Sequence, residues 1–138
     1  MSPPSSGEVP IRVEADIVTA RRAARDVSNL LGFGLTDVTR IVTAASELAR
    51  NAISHAHGGV MRWMSLEDPR LLRVGVEFIF EDRGPGIPDV GIAMQEGWST
   101  GGGLGMGLPG TRRLMDDMEI RSVPGEGTTV IVRKWRRR

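Results

Sequence analysis

Glu47 and Asn51 stand four residues apart, a spacing that projects a carboxylate and a carboxamide from the same edge of a helix. Such a pair can take a proton from an attacking hydroxyl and hold a hard cation through the amide oxygen. Farther on, Asp82-Arg83-Gly84-Pro85-Gly86-Ile87 places a carboxylate at the head of a glycine-containing loop. A carboxylate fixed there can accept a hydrogen bond from the exocyclic amine of adenine, a donor that guanine does not present at that position. Gly84 and Gly86 let the backbone approach a flat ligand, Pro85 stiffens the loop, and Ile87 offers an apolar wall. The third segment is Gly103-Leu104-Gly105-Met106-Gly107-Leu108-Pro109-Gly110, whose successive amides can cradle phosphate oxygens just before a helix. Each segment alone also has a plain reading, as a flank pair on a helix, an Asp-x-Gly turn and a flexible linker. In this order they describe an ATP site.

The elements that position these residues follow from the pattern. Residues 1–10, with Pro3, Pro4, Ser5, Ser6 and Gly7, lack periodicity and read as a disordered leader to a single domain over 11–138. Ile11 and Val13 alternate with charged residues as a short strand, Asp16 stands where a helix cap is expected, and that helix runs to Leu31. Gly32 and Gly34 stop it, Thr36 caps a second helix, and Gly58 and Gly59 end the second. On that second helix, at roughly 100° per residue, Ile41, Ala45, Leu48, Ala52 and Ala56 form an apolar stripe, with Thr43, Arg50 and His57 opposite. Glu47 and Asn51 fall between stripe and wet face, where side chains can line a pocket. His55 reads as packing beside the core, with no catalytic role.

Val60 to Glu67 and Leu71 to Glu81 read as strands around a turn at Asp68-Pro69, and the second delivers Asp82 to its loop. Pro88 to Thr100 reads as a short lid bearing Trp98, followed by a helix from Leu108. Met118 to Val123 and Thr128 to Trp135 form a closing hairpin around Pro124-Gly125-Glu126-Gly127. The predicted fold class is α+β, a two-layer α/β sandwich with helices on one face of a mixed, mainly antiparallel sheet. P-loop and Rossmann arrangements are excluded, because the glycine run follows helices instead of forming the first strand-to-helix turn.

Composition permits this reading. The chain of 138 residues is the size of one domain, its net charge is +1, and it has no cysteine. Disulfides and thiolate metal sites are therefore excluded, and no apolar run or leader argues for export or insertion, so a cytoplasmic protein is expected. The charge balance gives no reason to expect nucleic acid, and Arg133, Lys134, Arg136, Arg137 and Arg138 read as a solvated basic tail.

The ordered trio resembles the N, G1 and G2 boxes of the Bergerat-fold ATPases and kinases, which include histidine kinases, Hsp90-type chaperones, gyrase B and MutL. From about Ile11 to Trp135 the chain is most similar to the serine kinases of bacterial partner-switching pathways, particularly RsbT-type switch kinases. Glu96-Gly97-Trp98-Ser99-Thr100, Arg113-Leu114-Met115-Asp116 and Gly125-Glu126-Gly127-Thr128 are its most distinctive stretches beside the glycine run. His55-Ala56 matches the neighbouring anti-sigma factor kinases as well. No helical hairpin with a phospho-accepting histidine is present, so the sequence does not read as a complete histidine kinase.

The resemblance implies roles residue by residue. Asn51 would ligate Mg²⁺ on the phosphates and Glu47 would act as base or orienting group. Asp82 would read adenine, with Gly84, Gly86, Ile87 and Thr128 completing its contacts. Gly103, Leu104, Gly105, Met106, Gly107 and Leu108 would wrap the triphosphate. It further implies phosphorylation of a STAS-domain antagonist and activation of a PP2C-type phosphatase on release. The alternatives are an anti-sigma factor kinase that sequesters a sigma factor, and a nucleotide-binding switch without kinase activity. Neither nucleic acid nor a membrane is expected as a partner.

Overall fold

The computed structural model describes residues 6–86 and 107–136. In chain order the elements are β1 (Ser6–Ile11), α1 (Glu14–Leu30), α2 (Leu35–Ala56), β2 (Gly59–Asp68), β3 (Arg73–Asp82), α3 (Gly107–Leu114), β4 (Asp117–Val123) and β5 (Gly127–Trp135). The strands form one sheet in the order β1-β2-β3-β5-β4. Every pairing is antiparallel, which sharpens the expected mixed, mainly antiparallel sheet.

Period-two alternation decides which face of the sheet is covered. Val76, Phe78 and Phe80 on β3 and Val130 and Val132 on β5 are buried, and the register places Phe78 opposite Val132 and Phe80 opposite Val130. Met61 of β2 and Val9 and Ile11 of β1 extend this surface. Against it lie Ile17, Ala20, Ala24 and Val27 of α1 and Ile41, Ala45, Leu48 and Ala52 of α2, spaced as one stripe per helix. Alanine along both stripes lets the helices approach closely. Full burial of a side chain such as Phe78 or Ile41 contributes about 2–3 kcal/mol, so this layer supplies most of the folding drive. Among the described residues no helix is long and apolar enough to cross a membrane.

Several boundaries differ from the sequence reading. Residues 6–10 belong to β1, not to a leader, and Ser6 through Ile11 pair with Met64 through Gly59. Pro10 and the few apolar residues hide this edge strand, because its order comes from the hydrogen bonds β2 offers. Asp16 is not the cap residue of α1. It occupies the third helical position and its Oδ2 reaches back to the N–H groups of Arg12 and Val13 at 2.8 and 3.0 Å, half of a capping box. Thr36 is likewise inside α2, whose first turn is entered from Gly34. The solvated tail also fails at Arg133 and Lys134, while Arg136 stays exposed. Arg133 pairs with Glu77, Lys134 is buried, and Arg136 donates to the carbonyl oxygen of Leu31, because alternation along β5 directs successive residues to opposite faces.

Candidate functional site

β3 ends at Asp82, which the register places between Gly59 of β2 and Thr128 of β5. Its Oδ1 accepts the backbone N–H of Gly84 at 2.9 Å and that of Thr128 at 3.2 Å. The first bond is an Asx turn that opens the loop, and the second ties that loop to the next strand. Both bonds use Oδ1, and Oδ2 has no hydrogen-bond partner among the described residues. A half-buried carboxylate is thus fixed through one oxygen with the other left as an acceptor.

The loop is wedged between two elements. A Cβ at Gly84 would come within 2.4 Å of the Cβ of Ala56, the last residue of α2, so only glycine allows the loop to press on that helix. On the other side the N–H of Gly125, in the β4–β5 turn, donates to the carbonyl oxygen of Pro85 at 2.8 Å. Gly86 follows, half-buried, and Ile87 lies outside the described residues.

α2 presents its two polar residues at the margin of the core. Glu47 and Asn51 are half-buried while Leu48, Ala49 and Ala52 beside them are buried. Glu47 Oε1 accepts from Arg50 Nη1 at 3.0 Å, and the glutamate side chain is 14% exposed against 46% for the arginine. Arg50 is exposed as its helical position predicts, yet its long side chain turns back over the site margin. Asn51 has no side-chain partner among the described residues, which leave both its amide oxygen and its NH₂ to other ligands. His55 corrects an expectation. It is exposed and does not pack beside the core although it points close to the direction of Leu48, because it stands in the last turn of α2, at the end of the helix. The helix ends in His57, whose φ of 60° is left-handed, and the N–H of Gly58 just beyond it donates to the carbonyl oxygen of Ala52 at 2.9 Å.

Thr128 is buried, and its Oγ1 lies 3.0 Å from Oγ of Ser122 on the neighbouring strand. Sequence reasoning missed Ser122. Its signal was the hairpin register, since a turn at residues 124–126 sets Ser122 opposite Thr128. α3 begins at Gly107 and packs against α2. Leu108 is part of the core, so only its backbone can face a phosphate, not its side chain. Gly103, Leu104, Gly105, Met106 and the predicted lid over 88–100 with Trp98 lie outside the described residues.

The geometry therefore brings Glu47, Asn51, Asp82, Gly84, Gly86, Gly107 and Thr128 onto elements that touch one another. Comparison with known proteins supplies the family context. The model for histidine kinase-, DNA gyrase B- and HSP90-like ATPases matches residues 36–138. The chain is 49% identical to the serine/threonine-protein kinase RsbT of Bacillus subtilis over 129 residues, 94% of this chain and 96% of that protein. It is 36% identical to the anti-sigma F factor of Pasteuria penetrans over 106 residues, 70% of this chain and 67% of that protein. Among solved structures it resembles the RsbU and RsbW domains of a Mycobacterium tuberculosis protein, with a TM-score of 0.62 and 22% identity. That match covers 99% of this chain and 34% of the other, and it speaks to the fold alone.

Proposed function

The chain belongs to the histidine kinase-, DNA gyrase B- and HSP90-like ATPase family and is a serine/threonine-protein kinase of the partner-switching kind, and on that premise we propose that it phosphorylates a serine of a small STAS-domain antagonist. The observation that carries this reading is the contact of Gly84 with Ala56. It joins the helix bearing Glu47 and Asn51 to the loop that fixes Asp82.

In this reading Oδ2 of Asp82 accepts from the amine of adenine, while Oδ1 keeps the loop closed through its two amides. The unengaged carboxamide of Asn51 suits a hard cation that retains most of its waters, because one neutral oxygen suffices beside phosphate ligands. Bound Mg-ATP would supply the phosphoryl group and neutralise charge developing on it. Glu47, oriented by Arg50, takes the proton of the attacking serine hydroxyl as the oxygen–phosphorus bond forms, and ADP carries away the electron pair of the broken bond. Gly107 and the first amides of α3 stabilise the phosphates at a helix N-terminus.

Release from the antagonist then frees the protein to activate a PP2C-type phosphatase in the cytoplasm. The 36% identity to an anti-sigma F factor favours a second reading, an anti-sigma factor kinase that sequesters a sigma factor. Incubation with Mg-ATP and STAS-domain proteins, followed by phosphosite mass spectrometry, tests the transfer. Phosphoserine on an antagonist is expected, and its absence from every candidate removes the kinase reading. Recovery of a sigma factor instead of a phosphatase in a pull-down selects the second reading.

A further inference from the structure

Near the end of β5 a lysine is buried where three elements meet. Lys134 is 4% exposed and is paired in register with Val76, on the sheet face that the helices cover. Its Nζ donates to the carbonyl oxygen of Leu114, the last residue of α3, at 2.9 Å. The same nitrogen lies 3.7 Å from Asp37 Oδ1 in the first turn of α2 and 3.6 Å from Asp116 Oδ1 just beyond α3. Asp116 is itself anchored to β5, its N–H donating to the carbonyl oxygen of Arg133 and its Oδ2 accepting the N–H of Trp135 at 2.8 Å.

We propose that Lys134 is a positioning residue for phosphate binding, one ammonium that holds α2, α3 and β5 in the arrangement the triphosphate requires. The inference rests on the ATP site described above. Each of the three elements contributes to that site: α2 through Asn51, α3 through Gly107, and β5 through Thr128. Lys134 gathers them at their other ends. α3 has only eight residues, too few to hold its position by helical cooperativity, and its terminal carbonyls need donors from outside. An ammonium at Leu114 meets that need and suits the negative end of the helix dipole. An apolar residue of equal volume would pack in the same place but would leave the Leu114 carbonyl without this donor and unlink Asp116 from Asp37, which would keep Arg40 of its own helix at 3.1 Å. The charge sets directions that packing alone does not set.

The test separates positioning from general stability. Binding of Mg-ATP and of adenosine is measured for wild type, Lys134→Met, Lys134→Arg and Asp116→Asn, with thermal melts of each. β5 is paired on both edges and α2 is anchored in the core, so losing the ammonium loosens chiefly α3 and its phosphate contacts, and Lys134→Met is expected to weaken Mg-ATP binding about ten-fold and adenosine binding less than about two-fold. Lys134→Arg restores part of the loss, and Asp116→Asn, which preserves volume, shows a smaller loss of the same selectivity. Equal weakening of both ligands overturns the proposal, as does unchanged Mg-ATP affinity in variants that fold. If Lys134→Met does not fold, the selectivity of Asp116→Asn decides by the same criterion. A wild type that fails to bind Mg-ATP overturns both this proposal and the assigned site, whereas equal Mg-ATP binding by wild type and variants overturns the lysine's role alone.

Discussion

Glu47 is the residue whose chemistry the account depends on most, and its setting is specific: a half-buried carboxylate held by an exposed guanidinium one helical turn later. If it accepts the serine proton, Glu47→Gln keeps shape and hydrogen bonding but removes the base. Phosphotransfer is expected to fall by about 10²–10⁴-fold with Mg-ATP affinity nearly unchanged, read by single-turnover transfer and by calorimetry. Arg50→Met should produce a milder defect of the same kind, a lower kcat without a higher KM for ATP, because it frees the carboxylate without deleting it. The glutamate and asparagine were legible from their i, i+4 spacing. Arg50 was not, since angular position on a helix says where a Cβ points and not where a long side chain ends.

At the scale of elements, two local devices set the entry to α1 and the position of the loop after β3. The N–H groups of Val13 and Arg12 that donate to Asp16, with a lesser contribution from the Arg12 charge, hold that carboxyl below its ordinary value of 3.8. A depressed carboxylate stabilises the folded state at pH values above the unfolded-chain value, and the contribution disappears as pH falls through the lower folded value. Asp16→Asn should therefore be less stable than wild type at pH 7, and the gap should close below about pH 3.8, as urea unfolding across that range would record. Because Asp16 is exposed, the effect is a modest one, in keeping with a helix cap.

The second device is Gly127, at φ +127°, where a Cβ would meet the carbonyl oxygen of Asp82. Gly127→Ala is expected to cost at least about 1–3 kcal/mol and to weaken ATP binding, because β5 must move away from the adenine loop. Thermal melts and nucleotide titration read the two effects. Both elements were partly visible beforehand: the Val, Ile and Phe run of β3 and the Pro-Gly-Glu-Gly turn marked their strands. The edge strand β1 was hidden because Pro10 and the polar residues around it carry little β signal, and its partner strand lies 48 to 58 residues away in sequence.

For the whole molecule, helix and strand periodicities identified the two layers, and the order of the three motifs pointed to the ATPase family that the chain belongs to. They did not reveal that β5 inserts between β3 and β4, which places Thr128 beside Asp82. That insertion is a long-range pairing choice made by the sheet as a whole, and it turns an apparently basic tail into a strand whose lysine is buried. The ATP site thus depends on contacts that close only when the entire sheet has formed. Asp82 is where that dependence is most exposed to experiment, since one oxygen ties the loop to β5 and the other has no hydrogen-bond partner among the described residues. Titration calorimetry of Mg-ATP into wild type and Asp82→Asn is the most direct measurement. A lost hydrogen bond to a charged group is worth about 1.5–3 kcal/mol, so Asp82→Asn is expected to bind Mg-ATP roughly 10- to 100-fold more weakly while remaining folded. Equal affinity for the two proteins would contradict the account.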